Sequence, residues 1–139
     1  MIIKFTIPGE PVSKGRPRFT RKGFAYTDKR TAKFENLVRL AYSETFPDRI
    51  PSEAPVALSV DAYFSIPKSW SKKKREDAAN HILLKTSRPD LDNIVKSVSD
   101  GLNGVAWRDD AQICMLNSWK GFSENPRTEV VINFEEESE

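Results

Sequence analysis

Cysteine and histidine are nearly absent from this sequence, which has one of each among its 139 residues. The lone Cys114 excludes an intrachain disulfide and any cysteine-based zinc framework, and it is typical of a reducing compartment. The lone His81 is the single candidate for a serine–histidine–aspartate triad. No neighbouring pattern supports that role, and we expect His81 to lie at the surface. The carboxylates and the basic side chains are therefore the candidates for chemistry.

Long hydrophobic runs are also missing. No apolar stretch approaches the roughly 18 residues of a membrane-spanning helix. The N-terminus meets a charge at Lys4 and a turn at Pro8–Gly9, which is unlike a signal peptide. With 38% hydrophobic and 30% charged residues, the composition predicts one globular domain that is cytoplasmic and has no membrane partner.

Basic residues concentrate in two segments, although the net charge is only +2. The first segment, residues 1–30, contains Lys4, Lys14, Arg16, Arg18, Arg21, Lys22, Lys29 and Arg30. The second segment, residues 68–88, contains Lys68, Lys72, Lys73, Lys74, Arg75, Lys85 and Arg88. Basic clusters attract polyanions over a long range. Either cluster alone is equally compatible with an ordinary solvated face.

The hydrophobic pattern predicts seven elements in the order strand, helix, strand, helix, helix, strand, strand. Alternation predicts strands near residues 1–7, 56–66, 111–122 and 128–134. Helical spacing and caps predict helices near residues 29–46, 71–80 and 91–103. We expect a loop or irregular ribbon over 14–23 and a short extended piece over 82–84. The order indicates a single α/β (α+β) domain, a mixed β-sheet packed with helices over residues 1–134, before a frayed acidic tail at 135–139.

Two carboxylates, Asp90 and Asp92, stand at the start of the third predicted helix, and Asp110 follows that helix. Mg²⁺ takes oxygen ligands and usually binds one or two protein carboxylates together with water and substrate phosphate. The helix is about 20 Å long, and the seven residues from 104 to 110 reach roughly 23 Å when extended. The chain is therefore long enough to bring Asp110 back to the helix start.

Convergence of these carboxylates requires a counter-ion. Two carboxylates about 4 Å apart repel by roughly 4 kcal/mol at an effective dielectric constant near 20. The helix N-terminus offsets about 0.3–1 kcal/mol of this repulsion. Either the aspartates stay apart, or a metal ion or a proton lies between them. The simpler alternative is a helix cap at Asp90 and a first-turn acid at Asp92.

Neighbouring residues extend the candidate site. Lys96 lies one turn after Asp92, where its ammonium could stabilise charge that develops in a transition state. The alternative for Lys96 is an exposed ion pair worth about 0.3–0.5 kcal/mol. Asn93 and Asp109 are expected to support the metal ligands without binding the metal themselves, and Trp107 is expected to lie in the core.

The residues around these acids resemble the RusA family of Holliday-junction resolvases. The resemblance rests on Pro89–Lys96, Asp100–Gly104 and Trp107–Gln112, and it extends to Gly9–Phe19 and Ser69–Arg75. It implies a homodimer that binds branched DNA, in the form of four-way junctions, and nicks two strands symmetrically with Mg²⁺ or Mn²⁺. It needs no small-molecule cofactor. The family's essential acids fall on Asp90, Asp92 and Asp110, and its essential lysine falls on Lys96.

The predicted mechanism is a metal-assisted hydrolysis of a phosphodiester. The metal is expected on Asp90, Asp92 and Asp110. Backbone phosphates are expected on Lys14, Arg16, Arg18, Lys72, Lys73, Lys74, Arg75, Lys85 and Arg88. Two alternatives remain open at this point: a catalytically silent module that binds junctions or other DNA, and a flap or RNA nuclease that uses the same acids.

Overall fold

A computed structural model describes residues 1–135 of the chain. Most of the predicted acidic tail, residues 136–139, lies outside the described residues. The three helices of the described part are α1 (Lys29–Thr45), α2 (Lys72–Ala79) and α3 (Leu91–Leu102). Its six strands are β1 (Ile2–Pro8), β2 (Arg18–Phe19), β3 (Ala25–Tyr26), β4 (Val56–Ser65), β5 (Ile113–Ser123) and β6 (Arg127–Phe134).

Four of the strands form a mixed sheet in the order β1-β6-β4-β5. Strand β6 pairs antiparallel with both β1 and β4, whereas β4 and β5 pair in parallel. Every second residue of β1, β4 and β6 is buried, so one face of the sheet is apolar. Strand β5 is an edge strand whose first half is exposed.

Helices α1 and α3 provide the apolar partners of that buried face. Helix α3 buries Ile94, Val98 and Leu102 at helical spacing, and α1 buries Phe34, Val38 and Tyr42. These side chains join the buried residues of the strands in one core. The core therefore fixes the position of α3, which carries two of the candidate acids at its start.

Gly101 sets the distance between the two core helices. A Cβ added at this position would lie 3.0 Å from the Val38 side chain and 3.1 Å from the Glu35 backbone oxygen. A larger residue at this position would need α1 or α3 to shift, so glycine suits the close approach of the two backbones.

The predicted fold class and the order of the main elements are confirmed. Ser71 caps α2 through its side chain, Gly104 has a φ of 77° after α3, and His81 is exposed as expected. The extended piece predicted at 82–84 is wrong, because these residues form a turn and an irregular segment after α2. Strand β5 begins later than predicted, since Asp110–Gln112 form a turn of 3₁₀-helix. None of the helices in residues 1–135 has the length and apolar character needed to cross a membrane.

Substitution of Gly101 tests the close helix contact. We expect Gly101→Val to lower the free energy of unfolding by about 1–3 kcal/mol, because the added side chain overpacks the contact with Val38 and Glu35. Chemical denaturation of both proteins measures the difference. Ser43→Val, at an exposed position of α1, places the same β-branched residue in a helix without the overlap. An equal effect of the two substitutions would contradict the assigned role of Gly101.

Candidate functional site

The start of α3 presents two carboxylates to solvent. Asp90 occupies the N-cap position in an extended conformation (φ −70°, ψ 138°), but its side chain makes no capping hydrogen bond. Asp92 follows in the first turn, and both residues are exposed. The alternative in which Asp90 serves as an ordinary side-chain cap is therefore not observed. Both carboxylates lie at the N-terminal end of α3, which is the positive end of the helix dipole.

The loop before Asp90 is held by a lysine from the sheet. Lys120 of β5 donates hydrogen bonds from Nζ to the backbone oxygens of Ser87 and Pro89, each at 2.7 Å. The Arg88–Pro89 peptide bond between these contacts is cis. Lys120 was not predicted as a site residue, and its place in a strand gave no signal of this contact.

Lys85 adds a second ammonium group to this loop. Its Nζ lies 5.0 Å from the centroid of the Phe64 ring and donates to the Ser87 hydroxyl at 3.0 Å. Burial, and then the charge of Lys120, lower the pKa of Lys85 below its ordinary value. Arg88 is exposed beside it. Of the predicted phosphate-binding residues, Lys85 thus contacts the loop before Asp90, and Arg88 lines a cleft together with Asp90.

A surface cleft opens at this end of α3. Asp90 and Asn93 line it together with two guanidinium groups, those of Arg30 and Arg88. Its other lining residues are Glu10, Pro11, Ser13, Phe64 and Pro89. Arg30 belongs to the first basic segment of the sequence, but only the fold shows that it lines the same cleft as Asp90. The arrangement offers cations for a phosphate group beside carboxylates for a metal ion.

Residues 12–15, here called the strap, run across α3 and α1 beside the cleft. The backbone N–H of Lys14 donates to the Asn93 backbone oxygen at 2.8 Å. The Ser97 hydroxyl donates to the Val12 backbone oxygen, and the Gly15 N–H donates to the Thr31 hydroxyl at 3.0 Å. The strap is therefore hydrogen-bonded to both helices.

Lys14 forms the centre of a charge network under the strap. Its ammonium group lies 2.7 Å from Glu35 of α1 and 3.1 Å from Asp100 of α3. Burial alone would lower the pKa of Lys14, but its hydrogen bonds to Glu35 and Asp100 outweigh burial and raise it. The predicted role of Lys14 as a phosphate ligand stays a prediction. The structure shows that this charge is already paired within the protein.

Lys96 extends the same network towards the surface. Its ammonium group lies 3.1 Å from Asp100, so Asp100 binds both lysines. The Lys96 side chain is 57% exposed, which leaves it accessible to an anion. Lys96 thus pairs with Asp100, one turn further along α3, and not with Asp92.

Asp110 lies in a separate corner that Trp107 and Gln112 organise. Trp107 is fully buried, as expected, and its indole N–H donates to Oδ1 of Asp110 at 2.8 Å. Asp109 caps the 3₁₀ turn, where its side chain accepts from the Ala111 N–H. The Gln112 amide donates to the backbone oxygens of Ser52 and Ala54, both at 2.9 Å. Gln112 was part of the recognised motif, but its anchoring role was not predicted.

The two groups of acids lie at opposite ends of α3. The Gly104 N–H donates to the Trp107 backbone oxygen at 2.7 Å, so the chain turns at the C-terminal end of the helix. Helix α3 has 12 residues and is about 18 Å long. Strand β5 then runs back towards the start of α3, where Lys120 contacts Pro89. The segment is long enough to return Asp110 to Asp90, but within one chain it does not do so.

The carboxylates have the chemistry to bind a hard divalent cation, but within one chain they lie too far apart to bind it together. Oxygen donors of this kind suit Mg²⁺ and Mn²⁺, and an indole N–H on Asp110 is the kind of outer contact that orients a metal ligand. Among residues 1–135, however, no group of three or more histidine, cysteine, aspartate or glutamate side chains is arranged to hold a metal ion.

The remaining predicted phosphate ligands lie on two other elements. Arg16 and Arg18 are exposed at the start of the ribbon formed by β2 and β3. The exposed residues Lys72–Arg75 form the first turn of α2, where Lys74 lies 4.0 Å from the centroid of the Trp70 ring and Lys73 pairs with Asp77. These side chains provide a basic surface, and their contacts with DNA stay predictions.

The chain belongs to the RusA endodeoxyribonuclease family, because the family model matches residues 8–133, nearly the whole chain. A similar protein is the uncharacterized protein YqaN of Bacillus subtilis (strain 168). The two are 42% identical over 135 residues, and the match covers 94% of each chain. The resemblance stated from the central motifs is thereby confirmed.

Removal of the central ammonium group tests the network under the strap. We expect Lys14→Met to lower the free energy of unfolding by about 1–3 kcal/mol at neutral pH, because Glu35 loses its partner and Asp100 keeps only Lys96. The folded pKa of Lys14 is raised above 10.5. Its contribution is therefore complete below that pH and is lost as the pH rises through the folded pKa.

Chemical denaturation of both proteins at pH 7 and at pH 11 measures this difference. Lys33→Met, at an exposed position of α1, is the matched control and should change stability by less than about 0.5 kcal/mol. A loss of stability in Lys14→Met that stays constant up to strongly alkaline pH would contradict the assigned charge pairing.

Proposed function

We propose that two copies of this chain form a metal-dependent endonuclease that resolves four-way DNA junctions by paired, symmetric nicks. The observation that carries the proposal is the divided set of carboxylates. Asp90 and Asp92 stand without a capping bond at one end of α3, and Trp107 orients Asp110 at the other end. One chain thus carries every expected acid but leaves them apart.

A second chain supplies the missing part of the set in this proposal. Asp110 of one protomer would join Asp90 and Asp92 of its partner, and a symmetric pair would contain two such sites. Two sites also match the chemistry, because cutting two opposed strands requires two reaction centres. The same division of the acids thus accounts for both the dimer and the paired nicks.

The basic residues around Asp90 support a phosphodiester as the substrate. Arg30 and Arg88 line the cleft, and Lys85 and Lys120 lie in or against the loop before Asp90. These groups bind the DNA backbone by charge and hydrogen bonds, which positions a strand without reading its sequence. Lys96, beyond the acids on α3, is exposed and would stabilise negative charge that develops during cleavage.

The divalent ion would be Mg²⁺ or Mn²⁺, held by Asp90, Asp92 and Asp110. When bound, it supplies a Lewis acid and a water of lowered pKa. The protein's own part is to hold the carboxylates and the phosphate in place. Trp107 and Gln112 fix the Asp110 corner, and Lys120 fixes the loop that precedes Asp90.

The isosteric change Asp92→Asn tests the site directly. We expect it to abolish Mg²⁺-dependent cleavage of a labelled four-way junction but to leave junction affinity within about threefold and stability within about 1 kcal/mol. Denaturing gels report cleavage of junction, duplex and flap DNA with and without Mg²⁺, and fluorescence anisotropy in EDTA reports binding. Asp48→Asn, at an exposed position in the turn after α1, is the matched control.

Three outcomes of this experiment contradict the proposal. Unchanged turnover in Asp92→Asn would remove Asp92 from the site. Tight junction binding by the unmodified chain without cleavage of any substrate would identify a silent DNA-binding module. Preferential cleavage of the flap would replace the proposed substrate with a different branched DNA.

Mixing two inactive variants tests whether the site is shared between chains. Asp92→Asn and Asp110→Asn should each be inactive alone. In a mixed pair, one shared site receives both substitutions and the other site receives neither. We therefore expect mixing to restore cleavage, with one nick per junction in place of two, as separated on native and denaturing gels.

The mixed pairs are isolated through different affinity tags on the two variants, so that exchange of subunits is verified before the assay. A verified mixed pair that stays inactive would contradict a site built from two chains. Inactivity is the result expected of sites built within single chains, because each of those would contain one substitution. As a control, two preparations of the unmodified chain, each with one of the tags, are mixed and purified in the same way, which reports any loss of activity during handling.

A further inference from the structure

The ribbon of residues 18–26 exposes three aromatic rings. Phe19, Phe24 and Tyr26 are 67%, 68% and 49% exposed. Single exposed apolar residues are ordinary on a protein surface, but three aromatic rings within eight residues of one small ribbon are not. The rings are large, flat and accessible, and the metal-dependent chemistry proposed above makes no use of them.

The ribbon holds its shape mainly through its backbone. Strands β2 and β3 pair antiparallel, with Arg18 opposite Tyr26 and Phe19 opposite Ala25. The Thr20 N–H donates to the Phe24 backbone oxygen and the Gly23 N–H to the Thr20 backbone oxygen, both at 2.9 Å. Gly23 has a φ of 85°, which glycine adopts readily. The aromatic rings are thus available for a partner.

Both ends of the ribbon are anchored beside the Asp90 cleft. Its first strand follows the strap, and its second strand leads to Asp28, which caps α1 by accepting from the Thr31 N–H at 3.1 Å. Hydrogen bonds from the Thr31 backbone and hydroxyl hold the pKa of Asp28 below its ordinary value. A second cleft at the base of the ribbon shares Ser13 and Arg30 with the cleft that contains Asp90.

The charge around the rings selects a polyanion as the partner. Arg16, Arg18, Arg21 and Lys22 lie on or next to the ribbon and are all exposed, and Asp28 is the acid at its base. Aromatic rings interleaved with basic side chains bind nucleic acids whose bases are accessible for stacking, while the cations bind the backbone. In an intact duplex the faces of the bases are already stacked, whereas a branch point exposes them.

We propose that the β2–β3 ribbon is a binding site for unstacked bases at the branch point of the DNA, with Phe19 and Phe24 as the stacking rings. The inference rests on the proposed function, since it assumes a branched DNA held at the Asp90 cleft. It adds a source of selectivity for branched over linear DNA that phosphate contacts alone do not provide.

The double variant Phe19→Ala/Phe24→Ala in the full chain tests this proposal in EDTA, where DNA is not cut. We expect its affinity for a four-way junction to fall about 10–100-fold and its affinity for a duplex of the same sequence to change less than about threefold. The unmodified chain should raise the fluorescence of 2-aminopurine placed at the branch point, and the variant should not. Phe19→Trp/Phe24→Trp should keep the response.

The matched control is Leu40→Ala/Ile50→Ala, which removes two exposed apolar side chains elsewhere. Circular dichroism verifies the fold of every variant. Equal losses on junction and duplex, or an unchanged 2-aminopurine response, would overturn the proposal. Loss of binding to phosphatidylserine vesicles with junction binding intact would assign the ribbon to a membrane surface instead.

The experiment separates this inference from the proposed function. A chain that cleaves no junction but shows the ring-dependent 2-aminopurine response would contradict the proposed function and support the ribbon as a base-binding site. A Phe19→Ala/Phe24→Ala variant that cleaves the junction, with unchanged affinity and branch-point fluorescence, would support the proposed function. It would overturn the ribbon as a base-binding site.

Discussion

The arrangement of the site depends on the ion pairs of Lys14. Its ammonium group lies between the carboxylates of Glu35 and Asp100. It joins the strap, α1 and α3 through two ion pairs that are largely shielded from water. The strap in turn places the ribbon on one side of α3, and α3 places Asp90 and Asp92 at the cleft. Because Gly101 lets the two helices approach closely, this one cation reaches both carboxylates.

The direction of β5 explains why one chain keeps its acids apart. Strand β5 runs parallel to β4, so the polypeptide must enter it at the end of the sheet that lies far from Asp90. Asp110 belongs to that entry point, and Trp107 and Gln112 attach it there. The direction of β5, and not the length of the segment that connects it to α3, thus keeps Asp110 far from Asp90.

Most of the fold could be predicted from the sequence because its elements have strong local signals. Alternating apolar residues identify β4 and β6, Ser71 marks the start of α2, and Gly104 marks the end of α3. The identity of the candidate acids followed from motif residues near Asp90 and Asp110. Their separation could not be predicted, since the length of a segment gives only its maximum reach. The contacts of Lys120 and Gln112 depend on tertiary packing, which leaves no periodic pattern in the sequence.

A divided carboxylate set has a consequence for the cell that carries the protein. If the site is shared between two chains as proposed, a lone protomer does not cut DNA. When pairing is weak, the amount of competent enzyme then rises with the square of the protomer concentration. A halving of expression would then reduce the amount of competent enzyme to about a quarter. The position of Asp110 at the far end of α3 would act as a safeguard for the genome, without any inhibitor or additional domain.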